Sequence, residues 1–402
     1  MIHRNFALKI FKGFSVKRWN DLLRPVEFVE MDKVGEKMII AYLIGTFEEK
    51  AGKDISWEKI IYAGFFELLR KIVLSDIKAP VLGMIKETAP DEYRKLNEWV
   101  VSCYEGIITD EELLDSFRKY VKTEDESGDL SDKIAKAAHK FSTLREFEIL
   151  KSMNPSSSKI KQVEKELFRD VDKFMDLKAF QLLMLRHPPF EFLEITEEMR
   201  YQIRWGQSQR TPQTTVLGHS LFTACITLLL LRESPGPLSS ARLFNGFFSA
   251  LFHDLPEAVT RDIISPVKRA TENLPEVVKK IENIFIQKEL EPKMHPFFKK
   301  ELFHFTTDEF ENRILKNGKT EKVSYKKLRE HYDSPEYSPI DGKLIEAADK
   351  ISAFLEADRS INHGIISEDI KKGWDSIWTK FEKAEVVNGV DIKRFFREFD
   401  KR

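Results

Sequence analysis

Apolar residues recur at three- and four-residue spacing along most of the chain, and alternating runs of β-branched residues are almost absent. That spacing predicts helices over 36–50, 57–73, 131–150, 160–185, 218–232, 241–252, 276–290 and 341–357. The expected fold class is all-α. Breakers fall at Asn154-Pro155-Ser156-Ser157-Ser158, His187-Pro188-Pro189, Ser234-Pro235-Gly236-Pro237 and 334–339. The acidic stretch 123–129 reads as a solvated loop. The break at His187-Pro188-Pro189 is the best boundary, dividing the chain into domains 1–185 and 190–402.

The pattern also repeats. Lys17-Arg18-Trp19 returns as Ile203-Arg204-Trp205 at an offset of 186, and Val34-Gly35-Glu36-Lys37 as Leu217-Gly218-His219-Ser220 at 183. Ala63-Gly64-Phe65-Phe66 returns as Asn245-Gly246-Phe247-Phe248 at 182, and the segment at 75–81 returns at 261–267. Residues 133–140 return at 343–350, an offset of 210. Short apolar strings recur by chance in helical proteins, but five matches in one order point to a duplication, hence two tandem helical domains.

One stretch breaks the apolar pattern where a core helix is expected. The run from Leu243 to Leu251 leads straight into His253-Asp254. Burying an imidazole and a carboxylate costs several kcal/mol unless they are hydrogen-bonded or bound to a metal, at roughly 2–7 kcal/mol for an unpaired polar group. The repeat points to partners, because the other matched segments carry His219 and Asp349. Singly, His219 reads as a satisfied core or capping histidine and Asp349 as a surface carboxylate paired to Lys350 or Lys343. Together on facing helices, two imidazoles and two carboxylates suit a divalent transition ion or magnesium.

Charge and cysteine content narrow the classes. Lys and Arg number 65 and Asp and Glu 66, a net charge of −1, so bulk electrostatics do not draw this chain to nucleic acid or a membrane surface. Two cysteines, Cys103 and Cys225, give no disulfide framework and suit a reducing cytoplasm. The opening residues Met1-Ile2-His3-Arg4-Asn5-Phe6 show no signal peptide, and the run from Ile226 to Leu231 is too short to span a bilayer. The expectations are a cytoplasmic location, no nucleic-acid partner and no membrane.

The ordered set His219, His253-Asp254, Asp349 resembles the HD superfamily of metal-dependent phosphohydrolases. It is closest to the bacterial 5'-deoxynucleotidase branch. Arg204-Trp205 upstream of the first His carries that resemblance further, as does His253-Asp254-Leu255-Pro256-Glu257 followed by Asp262 and Ser265-Pro266-Val267-Lys268. The likeness spans roughly residues 195–375. It implies one divalent ion (Mn, Co, Mg, Ni, Fe or Zn) held by His219, His253, Asp254 and Asp349. Glu257, four residues beyond His253 and on the same face of an expected helix, would be the general base. Arg204 would clamp phosphate, Trp205 would pack on the sugar or base, and Asp262 would accept from a sugar hydroxyl. The implied reaction is hydrolysis of a (deoxy)nucleoside 5'-monophosphate. Alternatives are a nucleoside triphosphate or signalling nucleotide on the same site, or a non-catalytic HD-like scaffold.

The first half lacks the ligands. Glu36 stands opposite His219 in the string match, His139 stands opposite Asp349, and the stretch after Phe66 has no His-Asp. It brings Arg70 and Lys71 instead, which would oppose a dication. Residues 1–185 therefore read as a degenerate HD-like domain without a metal. The expected assembly is a monomer whose halves form an intramolecular pseudo-dimer, or a homodimer.

Overall fold

The computed structural model describes residues 2–75, 77–123, 128–261, 271–383 and 386–399. It is all-α but for one short hairpin. The core is built from α1 (Arg4–Phe11), α2 (Glu30–Lys50), α3 (Trp57–Leu74), α4 (Leu130–Met153), α5 (Val216–Glu233), α6 (Ser240–Phe252), α7 (Pro296–Thr306), α8 (Gly342–Asn362) and α9 (Glu368–Lys383). Several of these begin where a polar side chain satisfies a first-turn amide. Ser56, Asp129, Thr215 and Ser239 accept from the backbone N–H of Lys59, Asp132, Gly218 and Arg242.

Two helices run through the middle. Every residue from 30 to 48 in α2 and from 216 to 231 in α5 is buried, so neither has a solvent face. The helix Val216–Glu233 is long and apolar enough to cross a membrane, yet 89% of it is covered by the rest of the protein. The two central helices pack on each other, and glycines set their approach. A Cβ on Gly218 would stand 2.5 Å from Asp32 Oδ1, and one on Gly35 would stand 3.2 Å from Leu217 Cδ1. Aromatic contacts continue the junction: Phe11 meets Phe222 at 5.4 Å, Tyr42 meets Phe248 at 5.1 Å and Trp57 meets Phe244 at 4.8 Å. Residues on both sides of position 187 thus share one core.

Matching local features recur on the two sides. Lys17 bridges Val29 before α2, and Ile203 bridges Thr215 before α5. Trp19 and Trp205 both have positive φ, 56° and 59°, as do Ser75 and Arg261, 53° and 62°. Arg18 and Trp19 donate to Glu146 on α4, while Arg204 and Trp205 donate to Glu356 on α8. The starts of α2 and α5 and the bridges before them recur at an offset of 186, not 183, which puts Lys33 rather than Glu36 opposite His219.

Several elements differ from the sequence expectation. Helix α2 starts at Glu30, six residues before the expected 36, because Asp32 and Lys33, polar as they are, find partners inside. The expected helix over 160–185 is Ser158–Arg169, a turn at Val171–Phe174 and Lys178–Met184. Its second part is started from outside, since Glu48 of α2 accepts from the Lys178 N–H at 2.8 Å. The expected helix 276–290 relaxes after Phe285 into a wider turn over Ile286–Leu290, ahead of Pro292. The hairpin Arg313–Lys316 with Lys319–Lys322 was not expected. Its turn is Asn317-Gly318, both at positive φ, 51° and 74°.

Candidate metal centre

Three elements bring the ligand candidates together. His219 lies in the first turn of α5, fully buried behind the Thr215 cap. His253 and Asp254 follow the end of α6, and Asp349 lies in the middle of α8. His219 Nε2 is 3.0 Å from Asp349 Oδ1, and His253 Nε2 is 3.9 Å from the same oxygen. Asp254 Oδ2 stands 3.3 Å from His253 Nε2 and 3.7 Å from His219 Nε2. The ring centroids are 5.4 Å apart. One donor atom each from His219, His253 and Asp349 falls within 4.8 Å of the others, close enough to share an ion. His253 Nδ1 donates to the Ala250 carbonyl at 2.7 Å, which leaves Nε2 to present its lone pair. That Nε2 is buried and has no hydrogen-bond partner. A buried acceptor of this kind, aimed at two carboxylates, fits a divalent cation.

The charges around the cluster are arranged to keep Asp349 and Glu356 ionised. Burial works against the Asp349 carboxylate, but Lys350, 2.8 Å from its Oδ2, and the bond to His219 hold it well below the usual range. The His219 ring is held above its ordinary value: burial and Arg204 oppose its charge, and the bond to Asp349 with the nearby Glu356 carboxylate outweighs them. Glu356 is also held low, against its burial, by Arg204 and Arg210.

Glu356 was not singled out by the sequence reading. It is 1% exposed, accepts from Trp205 Nε1 at 2.8 Å and Thr214 Oγ1 at 2.6 Å, and lies 3.6 Å from His219 Nδ1. It therefore sits behind the first histidine, beside an Nδ1 that has no hydrogen-bond partner. Its sequence signal is spacing alone, seven residues after Asp349 and so on the same side of α8.

The remaining expected residues fall as follows. Arg204 Nη1 reaches Asp254 Oδ2 at 3.4 Å, beside the ligand set. Trp205 packs against α9, where a Cβ on Gly373 would meet its ring at 2.6 Å, and its indole N–H is taken by Glu356. Both residues line a cavity of about 370 Å³ formed by the loop at 203–213. Glu257 does not share a helix with His253. Helix α6 ends at Phe252, and the chain continues in i→i+3 turns, with Leu255 N–H to Phe252 O at 2.9 Å and Glu257 N–H to Asp254 O at 2.9 Å. Pro256 ends the α-helical register, so the four-residue spacing argument for Glu257 fails. Glu257 opens a separate turn, Glu257–Thr260, half-buried, its carbonyl bonded to Gln202. Asp262 and the turn at 265–268 lie outside the described residues.

Residues 196–378 match the family model of the HD domain. No curated protein matches the chain. Every site side chain placed above comes from the matched segment. The matched segment, a little under half of the chain, is thus similar to the HD domain, and it contains the His219, His253 and Asp349 group that could hold an ion.

Proposed function

We propose that this protein hydrolyses the phosphate ester of a (deoxy)nucleoside 5'-monophosphate at the His219–His253–Asp254–Asp349 cluster. The observation that carries the reading is the convergence of these four side chains, with the buried His253 Nε2 lacking any partner among them closer than 3.3 Å. A divalent ion held there would supply a Lewis acid that makes a water nucleophilic near neutral pH and takes up charge on the phosphoryl oxygens. The chain's own groups do the rest. Arg204 lies against Asp254 and offers its planar fork to a phosphate. Glu257, at the start of the turn after the ligands, would accept the proton from water. The Ala250 carbonyl fixes the His253 imidazole, and Glu356 sits behind that of His219.

Residues 1–185 are read in the same proposal as a degenerate HD-like half, supported by the paired bridges, paired positive-φ residues and paired Arg-Trp to Glu bonds. Lys33 would replace His219. Its buried amine donates to the His139 carbonyl at 3.1 Å, to Thr143 Oγ1 at 2.8 Å and to Ser142 Oγ. A basic group built into the chain, pushed down to about 7 by burial, stands where the second half would take a cation from solution.

The test is phosphate release from a panel of nucleotides with Mn²⁺, Co²⁺ or Mg²⁺, alongside elemental analysis. We expect His253→Ala to lose metal and turnover together. Glu257→Ala should keep the metal and lose about 10²–10⁴-fold in rate. Bound metal with no phosphate released from any nucleotide would sink the reading.

A further inference from the structure

We propose that the first half binds a nucleoside phosphate of its own, without a metal, in a cavity of about 840 Å³ beside α3 and α4. The cavity is the size of a small-molecule site, roughly 300–1,000 Å³. It is walled by α3, α4 and the helices Ala79–Thr88, Pro90–Ser102 and Glu111–Thr123, and its floor carries Lys37 from α2. The inference rests on this cavity and not on hydrolysis in the second half.

The lining is strongly cationic. Among the described residues, seven lysines and arginines face it against three carboxylates, and those carboxylates are already engaged. Glu67 pairs with Lys37 and accepts from His139 Nδ1 at 2.7 Å. Asp129 and Asp132 lie 3.2 and 2.5 Å from Lys59 Nζ. Lys71, Lys119 and Lys136 have no carboxylate partner among the described residues, and Arg70 is steadied by two neutral groups, Tyr93 OH at 2.8 Å and Asn97 Oδ1 at 3.2 Å. Positive charge gathered in a concave site selects a polyanion. Arginine and lysine together suit phosphate oxygens.

A second feature narrows the ligand. One wall is aromatic: Tyr62 stacks on Phe66 at 5.5 Å, and Tyr120 lies 5.6 Å from Phe66. Such faces receive a planar ring at little cost in order. Phosphate-seeking cations opposite an aromatic wall describe a nucleotide better than a bare anion. The floor explains the independence from metal. His139 occupies the place on α4 that Asp349 occupies on α8, and the amines of Lys33 and Lys37 adjoin it.

Equilibrium dialysis of the full chain in EDTA, with ATP, AMP and inorganic triphosphate as probes, tests this. EDTA removes the second site's ion from the measurement, so this result and the phosphate-release result succeed or fail separately. We expect one saturable ATP site per chain. The double charge reversal Lys71→Glu with Lys136→Glu, both partly or fully exposed side chains, should weaken it about tenfold or more with the thermal melt unchanged. Arg204→Ala should leave it as it was, and Tyr120→Ala should weaken ATP but spare triphosphate. No saturable binding at millimolar ATP, binding indifferent to the charge reversal, or loss with Arg204→Ala would each overturn the site. Equal affinity for ATP and triphosphate would overturn its nucleoside part.

Discussion

The residue that most sharpens the second-half site is Glu356, because it binds nothing itself in the proposed chemistry. It gathers Trp205, Thr214 and Arg204 and backs His219 Nδ1. Such outer partners typically contribute 10–100-fold to metal affinity. Glu356→Ala should therefore lower affinity for the ion by about that factor, measured by competition with a graded chelator. An unchanged affinity would mean that His219 is held by packing alone. The ligand residues themselves were legible in the sequence, since His219, His253-Asp254 and Asp349 interrupt apolar runs in a fixed order. Glu356 was not, since a carboxylate seven residues along a helix reads as a solvated face until its burial is known. Glu146, seven residues after His139, is buried in the same way and was missed for the same reason.

Helices were legible as far as they bury one kind of residue. α5 and α6 lie within a few residues of their expected bounds, because their apolar runs are long and their caps are Thr215 and Ser239. α2 was read short, because its first turns bury charge that is neutralised only by distant elements. The glycines where α2 meets α5 allow a test of that junction. Gly218→Ala would force a methyl to within 2.5 Å of Asp32 Oδ1 and 2.7 Å of Phe14 Cε1, whereas Gly35→Ala meets Leu217 at 3.2 Å. We expect the first to cost about 1–3 kcal/mol and the second clearly less, read from chemical denaturation. Equal costs would show that the helices can part without penalty. The hairpin, unseen in the helical pattern, gives a pH prediction. His304 of α7 ties to it through Thr320 Oγ1 at 3.0 Å and to the Ser338 carbonyl at 2.8 Å. Burial depresses this imidazole from 6.5 to about 4, with Arg313 adding to the effect and the Ser338 bond opposing it. Between pH 6.5 and 4 the unfolded chain binds the proton and the folded chain does not. Stability from this group is therefore intact above pH 6.5, falls as pH drops through that window and levels off below 4. The loss should be on the order of 3 kcal/mol. His304→Gln should flatten that part of the stability–pH curve, and a variant with the parent's acid slope would assign the loss elsewhere.

At the scale of the whole molecule, the question is whether residues 1–185 and 190–402 can stand apart. Their contacts argue that they cannot. Arg200 reaches across to Glu36 at 2.8 Å with both side chains 1% exposed, and lies 3.8 Å from Glu146. Thr215, the cap of the helix that carries His219, donates to Asp32 at 2.5 Å. Arg232 at the far end of α5 bonds Asp110 at 2.7 Å and Tyr62 at 2.7 Å. Separating the halves would expose the apolar sides of α2 and α5 and strand a buried guanidinium, and breaking such a buried pair alone costs about 3–5 kcal/mol. The full chain should therefore melt in one calorimetric transition, with Arg200→Ala lowering its midpoint without splitting it. A fragment of residues 190–402 should lack a cooperative transition and retain no bound metal, even though it contains all four ligand candidates. A fragment that folds and keeps its metal, or two separate transitions in the intact chain, would show that the first half is an appendage. If neither is found, the first half is part of the scaffold on which the metal centre is assembled, because Asp32 of α2 fixes the turn of α5 from which His219 projects.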